Sequence, residues 1–313
     1  MFRKAIEKLN IRLDILRQYR SLLQQDFPEP NLKALYKRQS LLLRGLCRIG
    51  LLERWHRTAG NPRLTEVLER HPHIRGAIYW PYLHNDWTPE RRFEVIDRHY
   101  LLLDGPAAIL LAAARGKVRL ASLRGSGPEL RLVLDKPKWF MREGEVVLNL
   151  FQEEARLYSV AFALGLEDGK RLAYVGAIQG SNLDQAAEIY RQLTRELHGL
   201  RPRDLTILAL RMLCDAMGIE RLLAVSHKAR HHESAFFGNL PEGKIQANYD
   251  EIWSEQGGRL LENGFFELPT KISHRDLSKI PSRKRASYRR RYEMLDGLGS
   301  QIRAACAGGV LTQ

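Results

Sequence analysis

The stretch "RLYSVAFALGLEDGKRLAYVGAIQG", Arg156–Gly180, sets two apolar runs on either side of GLEDGK, the clearest hairpin signal in the chain. Three further runs precede it: KVRLASL, ELRLVL and EVVLNLF. Each is short, alternating or rich in β-branched residues, and bounded by Gly, Pro, Asp or Glu. Together they predict an antiparallel meander of four or five strands beginning near residue 117.

The period is different on both sides of this meander. Residues 1–104 read as a helical N-terminal region, broken at DFPEPN, AGNP and HPHIRG, where Pro, Gly and Asn cluster. Residues 105–313 form the α+β domain. After the meander, SNLDQAAEIYRQLTREL places Leu183, Ala186, Ala187, Tyr190, Leu193 and Leu197 on one helical face, with Ser181 or Asn182 as cap. A second helix follows in RPRDLTILALRMLCDAMG, with Pro202 in its first turn and Gly218 just past its end. IERLLAVS then reads as a buried strand. The fold class is α+β, a helical N-terminal region followed by a mainly antiparallel meander sheet flanked by helices.

The chain closes this order with a basic helix, IPSRKRASYRRRYEML, Ile280–Leu295, which holds six Lys or Arg in sixteen positions. Pro281 biases Ile280 toward an extended backbone, and Ser282 is the expected N-cap. Helical phase puts Tyr288, Tyr292, Leu295 and Ile302 on one inward stripe. Lys284, Arg285 and Arg291 flank the stripe and are the candidate anion-binding residues, whereas Arg283 and Arg290 point away.

The 313 residues carry a net charge of +14, which attracts polyanions without naming one. The expected partners are an anionic small molecule or carrier, peripheral contact with an anionic membrane, and unspecific contact with nucleic acid. Three cysteines, Cys47, Cys214 and Cys306, have no paired spacing, so neither a disulfide framework nor a zinc module is expected. Cys214 falls on the apolar face of its helix and is expected in the core. The two most apolar stretches are short and interrupted by Arg44, Arg48 or Asp104, and neither spans a bilayer. A cytoplasmic protein, peripheral at most to the inner membrane, is expected.

Three features carry candidate chemistry. YVGAIQG ends at a helix start, and free N–H groups there suit an anion. Gln179, Gly180 and Ser181, with Arg201 and Arg203 at the next helix, are therefore the candidate cofactor-binding residues, for acyl-CoA or another phosphorylated donor. SHKARHHE follows the strand IERLLAV, and His227 at its end suits acid–base work. His227 and His231 would share a helical face, but no metal-binding pattern is complete and no metal is expected. NYDEIWSEQGG supplies Glu255, either a base or a partner for cations, while Tyr249, Ile252 and Trp253 face inward.

The motifs RHYLLL, YVGAIQG, LHGLRPRDL, AVSHKARHH, NYDEIWSEQGG and IPSRKRASYRRRYEML resemble the VirK/YbjX family of bacterial proteins, over roughly residues 35–302. That resemblance implies a Gram-negative source and an association with envelope stress, virulence and tolerance of cationic peptides, and it transfers no catalytic residue. The order meander, helix, strand is also similar to the GCN5-related N-acyltransferase fold, in which acyl-CoA phosphates sit at a helix N-terminus beside a splayed strand. The chain lacks that family's phosphate loop and inserts a further helix. Two functions are expected from this: an acyltransferase-like enzyme acting on an amine, with His227 and Glu255 as catalytic residues, or a non-enzymatic basic protein that docks on anionic membrane or nucleic acid.

Overall fold

Glu167 and Lys170 pair across a two-residue loop in which Asp168 (φ 50°) and Gly169 (φ 76°) are both left-handed. This backbone joins two strands with the twist of the sheet, and Asp-Gly adopts it at little cost. The computed structural model describes residues 2–56, 60–124, 127–182, 185–238 and 247–308. Among the described residues six α-helices come first: α1 (Phe2–Asp26), α2 (Leu32–Cys47), α3 (Ile49–His56), α4 (Pro62–Arg70), α5 (Pro89–Leu101) and α6 (Ile109–Arg115). The expected meander follows as β1 (Val118–Leu123), β2 (Leu130–Asp135), β3 (Val146–Gln152), β4 (Ala155–Glu167) and β5 (Lys170–Gly180), each antiparallel to the next.

Helices α7 (Ala186–Glu196) and α8 (Pro202–Ala216) then carry the chain across to β6 (Arg221–Val225), which lies parallel to β5. A parallel return needs such a crossover. Pro202 opens α8 and Gly218 (φ 68°) follows its end. The chain finishes with α9 (Tyr249–Glu255), β7 (Arg259–Leu260), β8 (Phe265–Leu268) and α10 (Ser282–Cys306). Among the described residues the sheet has eight strands, ordered β1-β2-β3-β4-β5-β6-β8-β7. No strand is expected from the sequence beyond β6. GFFEL is too short to declare itself, and its pairing with β6 makes it a strand.

One hydrophobic cluster runs from Ile15 to Cys306 and includes Cys214. The central strands are covered on both faces. On one, Val147, Ala161 and Ala177 meet Phe140 in a small separate cluster, while Leu148, Val160, Phe162 and Leu164 belong to the main core. Helix α5 is tied to β4 by His99, whose Nδ1 accepts the Leu164 amide at 3.0 Å. Helix α10 is tied to β1 by Gln301, whose side-chain amide accepts from the Ser122 N–H at 3.0 Å and donates to the Ser122 carbonyl at 3.1 Å.

Two helix starts differ from expectation. Helix α7 begins after Gln185 in a left-handed conformation (φ 67°), so neither Ser181 nor Asn182 caps it. Leu193 and Leu197 are buried as expected, Ala187 is exposed, and Leu183 lies outside the described residues. Pro281, not Ser282, occupies the cap of α10 and makes no side-chain cap. Along α10, Leu295 and Ile302 are buried, whereas Tyr288 and Tyr292 are half-buried. Tyr292 stacks on His274 at 4.0 Å and binds the Arg275 backbone through its hydroxyl.

Candidate functional site

β6 accompanies β5 only from Leu172 to Val175, and β5 runs on to Gly180 with β4 alone beside it. The parted strands would leave backbone groups of β5 unpaired, a costly state in a buried place. Helix α9 meets them. The Tyr249 hydroxyl donates to the Ile178 carbonyl at 3.0 Å and accepts from the Ile178 amide at 3.0 Å. Trp253 Nε1 donates to the Val225 carbonyl at 2.9 Å.

A polar row crosses the sheet toward this point. Asn149, Ser159 and Gln179 are aligned on β3, β4 and β5, so their side chains share a face. At one end the row includes the Arg156–Asp135 ion pair at 2.8 Å. At the other, Gln179 Nε2 donates to Glu143 Oε1 at 3.1 Å. Glu143 sits on a segment that crosses close to the strands. A Cβ at Gly176 would stand 2.1 Å from the Glu143 carbonyl, and one at Gly144 would stand 2.5 Å from the Phe162 amide nitrogen. Only glycine at both positions permits this approach.

Two carboxylates on that segment have different surroundings. Glu145 accepts from Tyr82 at 2.9 Å, Tyr100 at 2.6 Å and Lys136 at 2.7 Å. Despite full burial, the Lys136 ammonium together with His99 and these hydrogen bonds holds its carboxyl down at about 2. It is a structural ion pair. Glu143 is 3% exposed, and its Oε2 has no hydrogen-bond partner. Leaving a buried acceptor unmatched costs about 1–3 kcal/mol.

The histidines that follow β6 complete the site. His227 through Ala229 form a turn, and His231–Glu233 a 3-10 turn. His231 is 2% exposed with Nδ1 unpartnered, and His232 is half-buried with Nε2 3.6 Å from Glu143 Oε1. Their rings lie 3.8 Å apart and both pack on Phe237. Burial, reinforced by His232, Arg142 and Arg230, pushes His231 well below the usual imidazole range, so it is neutral. Arg230 covers the Tyr249 ring at 4.0 Å and Arg142 the Trp80 ring at 4.9 Å, while Arg230 Nη1 and Arg142 Nε lack partners.

Of the residues singled out from sequence, Gln179 alone reaches this cluster through a hydrogen bond. His227 and His231 do not share a helical face, because the backbone turns between them. The His227 amide donates to Asp250 at 2.7 Å, and His227 is not one of the residues whose ligand atoms gather with Glu143. Gly180 and Ser181 lie against Tyr190, whose hydroxyl accepts the Ser181 amide at 3.0 Å, and α7 begins at Ala186, after Gln185. Arg201 and Arg203 both bind Glu255, which they hold below the usual carboxylate range. Both arginines bind Asp204 as well, at 2.6 and 3.1 Å, so their charges are already matched. Arg285 donates to the Ile280 and Ser278 carbonyls, and Arg291 to the His198 carbonyl. Lys284 lines a cleft of about 570 Å³ with Arg275, Lys279 and Tyr288, and His227 is not part of its lining.

Glu143, Arg142, Arg230 and His232 escape the sequence patterns. The HH doublet directly after a buried strand is the one local signal. Glu143 has none, since its partner Gln179 is 36 residues away.

The family model described as protein of unknown function (DUF535) matches residues 12–304. The uncharacterized protein YbjX of Escherichia coli is 30% identical over 271 residues, 85% of this chain and 82% of that protein. An uncharacterized protein of Haemophilus influenzae is 36% identical over 163 residues, 51% of this chain and 52% of that protein. A protein named membrane protein LapB, from Mannheimia haemolytica, is 24% identical over 168 residues, 54% of this chain and 72% of that protein. No solved structure matches the chain. Among the described residues no helix is long and apolar enough to cross a membrane.

Proposed function

This chain belongs to the DUF535 family, and from that premise we propose that it is a hydrolytic or group-transfer enzyme for an anionic substrate, with its reaction centre at Glu143, His231 and His232. One observation carries this: unpartnered, buried polar atoms of Glu143, His231 and Arg230 converge where β5 and β6 part. Native proteins leave few such atoms, and they concentrate where a ligand completes them. Arg142 and Arg230 supply the positive charge that an anionic substrate needs.

An acyltransferase is the narrower form of this proposal. In it an acyl-CoA or similar donor would lie along the edge of β5 beyond Val175 and transfer its acyl group to an amine. The Tyr249 hydroxyl already binds both backbone groups of Ile178 on that edge. A donor would have to displace it, so the sheet face beside Gln179 is the better-supported location. The test is thermal unfolding of the full chain with acetyl-CoA, ATP, glycerol phosphate and acyl-carrier peptides. At least one anionic compound should raise Tm for the native chain and not for Glu143→Gln or His232→Ala. Equal shifts in all three proteins would remove the reaction centre from this pocket.

We also infer peripheral docking on an anionic membrane, through α1 and α2. Among the described residues, eight of the eleven exposed large apolar side chains lie on these two helices, including Leu9, Leu13, Leu32, Leu35, Tyr36 and Leu43. Residues 1–50 hold eleven Lys or Arg against four Asp or Glu. Apolar stripes with flanking cations suit a headgroup boundary. The chain should sediment with vesicles containing phosphatidylglycerol and not with phosphatidylcholine alone, and Leu32→Glu with Tyr36→Glu should abolish this. Retention by the double variant would move the contact elsewhere.

A further inference from the structure

Glu143, His231 and His232 each present one ligand atom, and all three atoms lie within 4.8 Å of one another. The distance from His232 Nε2 to Glu143 Oε1 is 3.6 Å. That is too long for a hydrogen bond of ordinary geometry. It is close to the edge of a tetrahedron of zinc ligands, about 3.4 Å for bonds of 2.0–2.1 Å.

We propose that Glu143, His231 and His232 bind one divalent first-row transition-metal ion of the zinc class, leaving a fourth position for water or substrate.

Burial supports this. Glu143 and His231 are 3% and 2% exposed, and Glu143 Oε2 and His231 Nδ1 are buried with no hydrogen-bond partner. The neighbouring Glu145 shows how the same fold treats a carboxylate meant to be structural, with two tyrosines and a lysine on it. Two imidazoles and one carboxylate favour zinc or its neighbours over magnesium or calcium, which prefer oxygen alone. Three protein ligands with one open position is the arrangement of catalytic zinc, whereas structural zinc takes four.

The ligands are also held in place. Gln179 donates to Glu143 at 3.1 Å, the outer-shell contact that orients a ligating carboxylate. The close approach at Gly144 and Gly176 fixes the Glu143 backbone, and Phe237 buttresses both imidazoles. Arg142 and Arg230 oppose a cation at first sight. Their guanidinium groups lie over Trp80, Phe237 and Tyr249, whose ring faces offset part of the charge. The remainder favours an anion in the fourth position.

The sequence expectation of no metal weighed His227 with His231 at helical spacing. The turn at 227–229 separates that pair, and the chain supplies the adjacent His232 instead. The inference rests on the pocket being the reaction centre, but it has its own readout.

The full chain, stripped with chelator and dialysed, is titrated with cobalt(II) and with zinc(II). One equivalent of cobalt should give the strong visible bands of a four-coordinate site, and zinc should displace it. Glu143→Gln and His232→Ala, shown to be folded by circular dichroism, should lose the bands. Gln179→Ala keeps all three ligands and should bind about 10–100-fold more weakly. His227→Ala should bind as the native chain does. Absence of stoichiometric binding, or bands unchanged in Glu143→Gln and His232→Ala, would overturn the metal site. Anion-induced stabilisation without metal binding sinks the metal and leaves the pocket. Metal binding with no anionic ligand for the pocket would sink the proposed substrate class alone.

Discussion

The Tyr249 hydroxyl stands between the amide and the carbonyl of Ile178, 3.0 Å from each, and so does for β5 what a neighbouring strand would do. It is a side chain acting as a ladder rung at the point where the sheet divides.

Replacing Tyr249 by Phe keeps the ring and removes the rung. Two buried backbone groups then lose their partner, and the chain should be destabilised by about 1–3 kcal/mol. The urea midpoint should fall with an unchanged m-value. A midpoint equal to that of the native chain would mean that water replaces the hydroxyl.

Glycine at position 176 has a sterner role. With a Cβ 2.1 Å from the Glu143 carbonyl, Gly176→Ala must push the crossing segment off β5. Backbone faces backbone, so no side chain can rotate away. The variant should be insoluble or lose more than about 3 kcal/mol. Gly50→Ala has nothing within 4 Å and serves as the tolerated control.

Acid should weaken the fold through His99. Burial pushes this imidazole down to about 3, with Glu145 pulling it up and Lys136 pressing it down. The unfolded chain takes up that proton near pH 6.5 and the folded chain only near 3. Between those values the unfolded state binds more protons, so stability drops as pH falls, by up to about 1.4 kcal/mol per pH unit for this group. His73, at about 4, acts in the same sense from 6.5 down to 4. Urea midpoints at pH 7, 6, 5 and 4.5 should decrease steadily. Stability constant over that range would require a protonated His99 in the core.

On the basic helix, Arg291→Ala removes the donors to the His198 carbonyl, where the chain leaves α7 with His198 at φ 54°. The loss should be roughly 1–2 kcal/mol, at the low end for a charged hydrogen bond because the site is half-exposed. Arg283→Glu with Arg290→Glu should stay within about 0.5 kcal/mol of the native chain. Equal losses in the two variants, measured at the same salt, would mean that helical phase does not separate the cations.

What the sequence makes legible is what neighbours in the chain decide. The β4–β5 hairpin has its period and its Asp168-Gly169 turn within a few residues, and α8 has Pro202 and Gly218 at its ends. β8 is decided by its partner β6, some forty residues earlier, and so has little local mark. The site is harder still. Adjacent histidines point apart on a helix, which favours pairing His227 with His231, yet the backbone leaves helical geometry there and brings His231 and His232 together. Glu143 gains its meaning from Gln179, a neighbour only once the sheet exists. Helical phase distinguishes Arg285 and Arg291 from Arg283 and Arg290, but the use of the first two on carbonyl oxygens depends on where α10 lies.

Gln301, bonded to both backbone groups of Ser122, bears on how copies of this chain can associate. β1 is one outer margin of the sheet, and with α10 clipped along it a foreign strand finds its docking groups occupied there. The opposite margin, β7, is two residues long and carries the charged Arg259. A template this short cannot register an incoming strand. The sheet is thus terminated at both sides against edge-to-edge polymerisation.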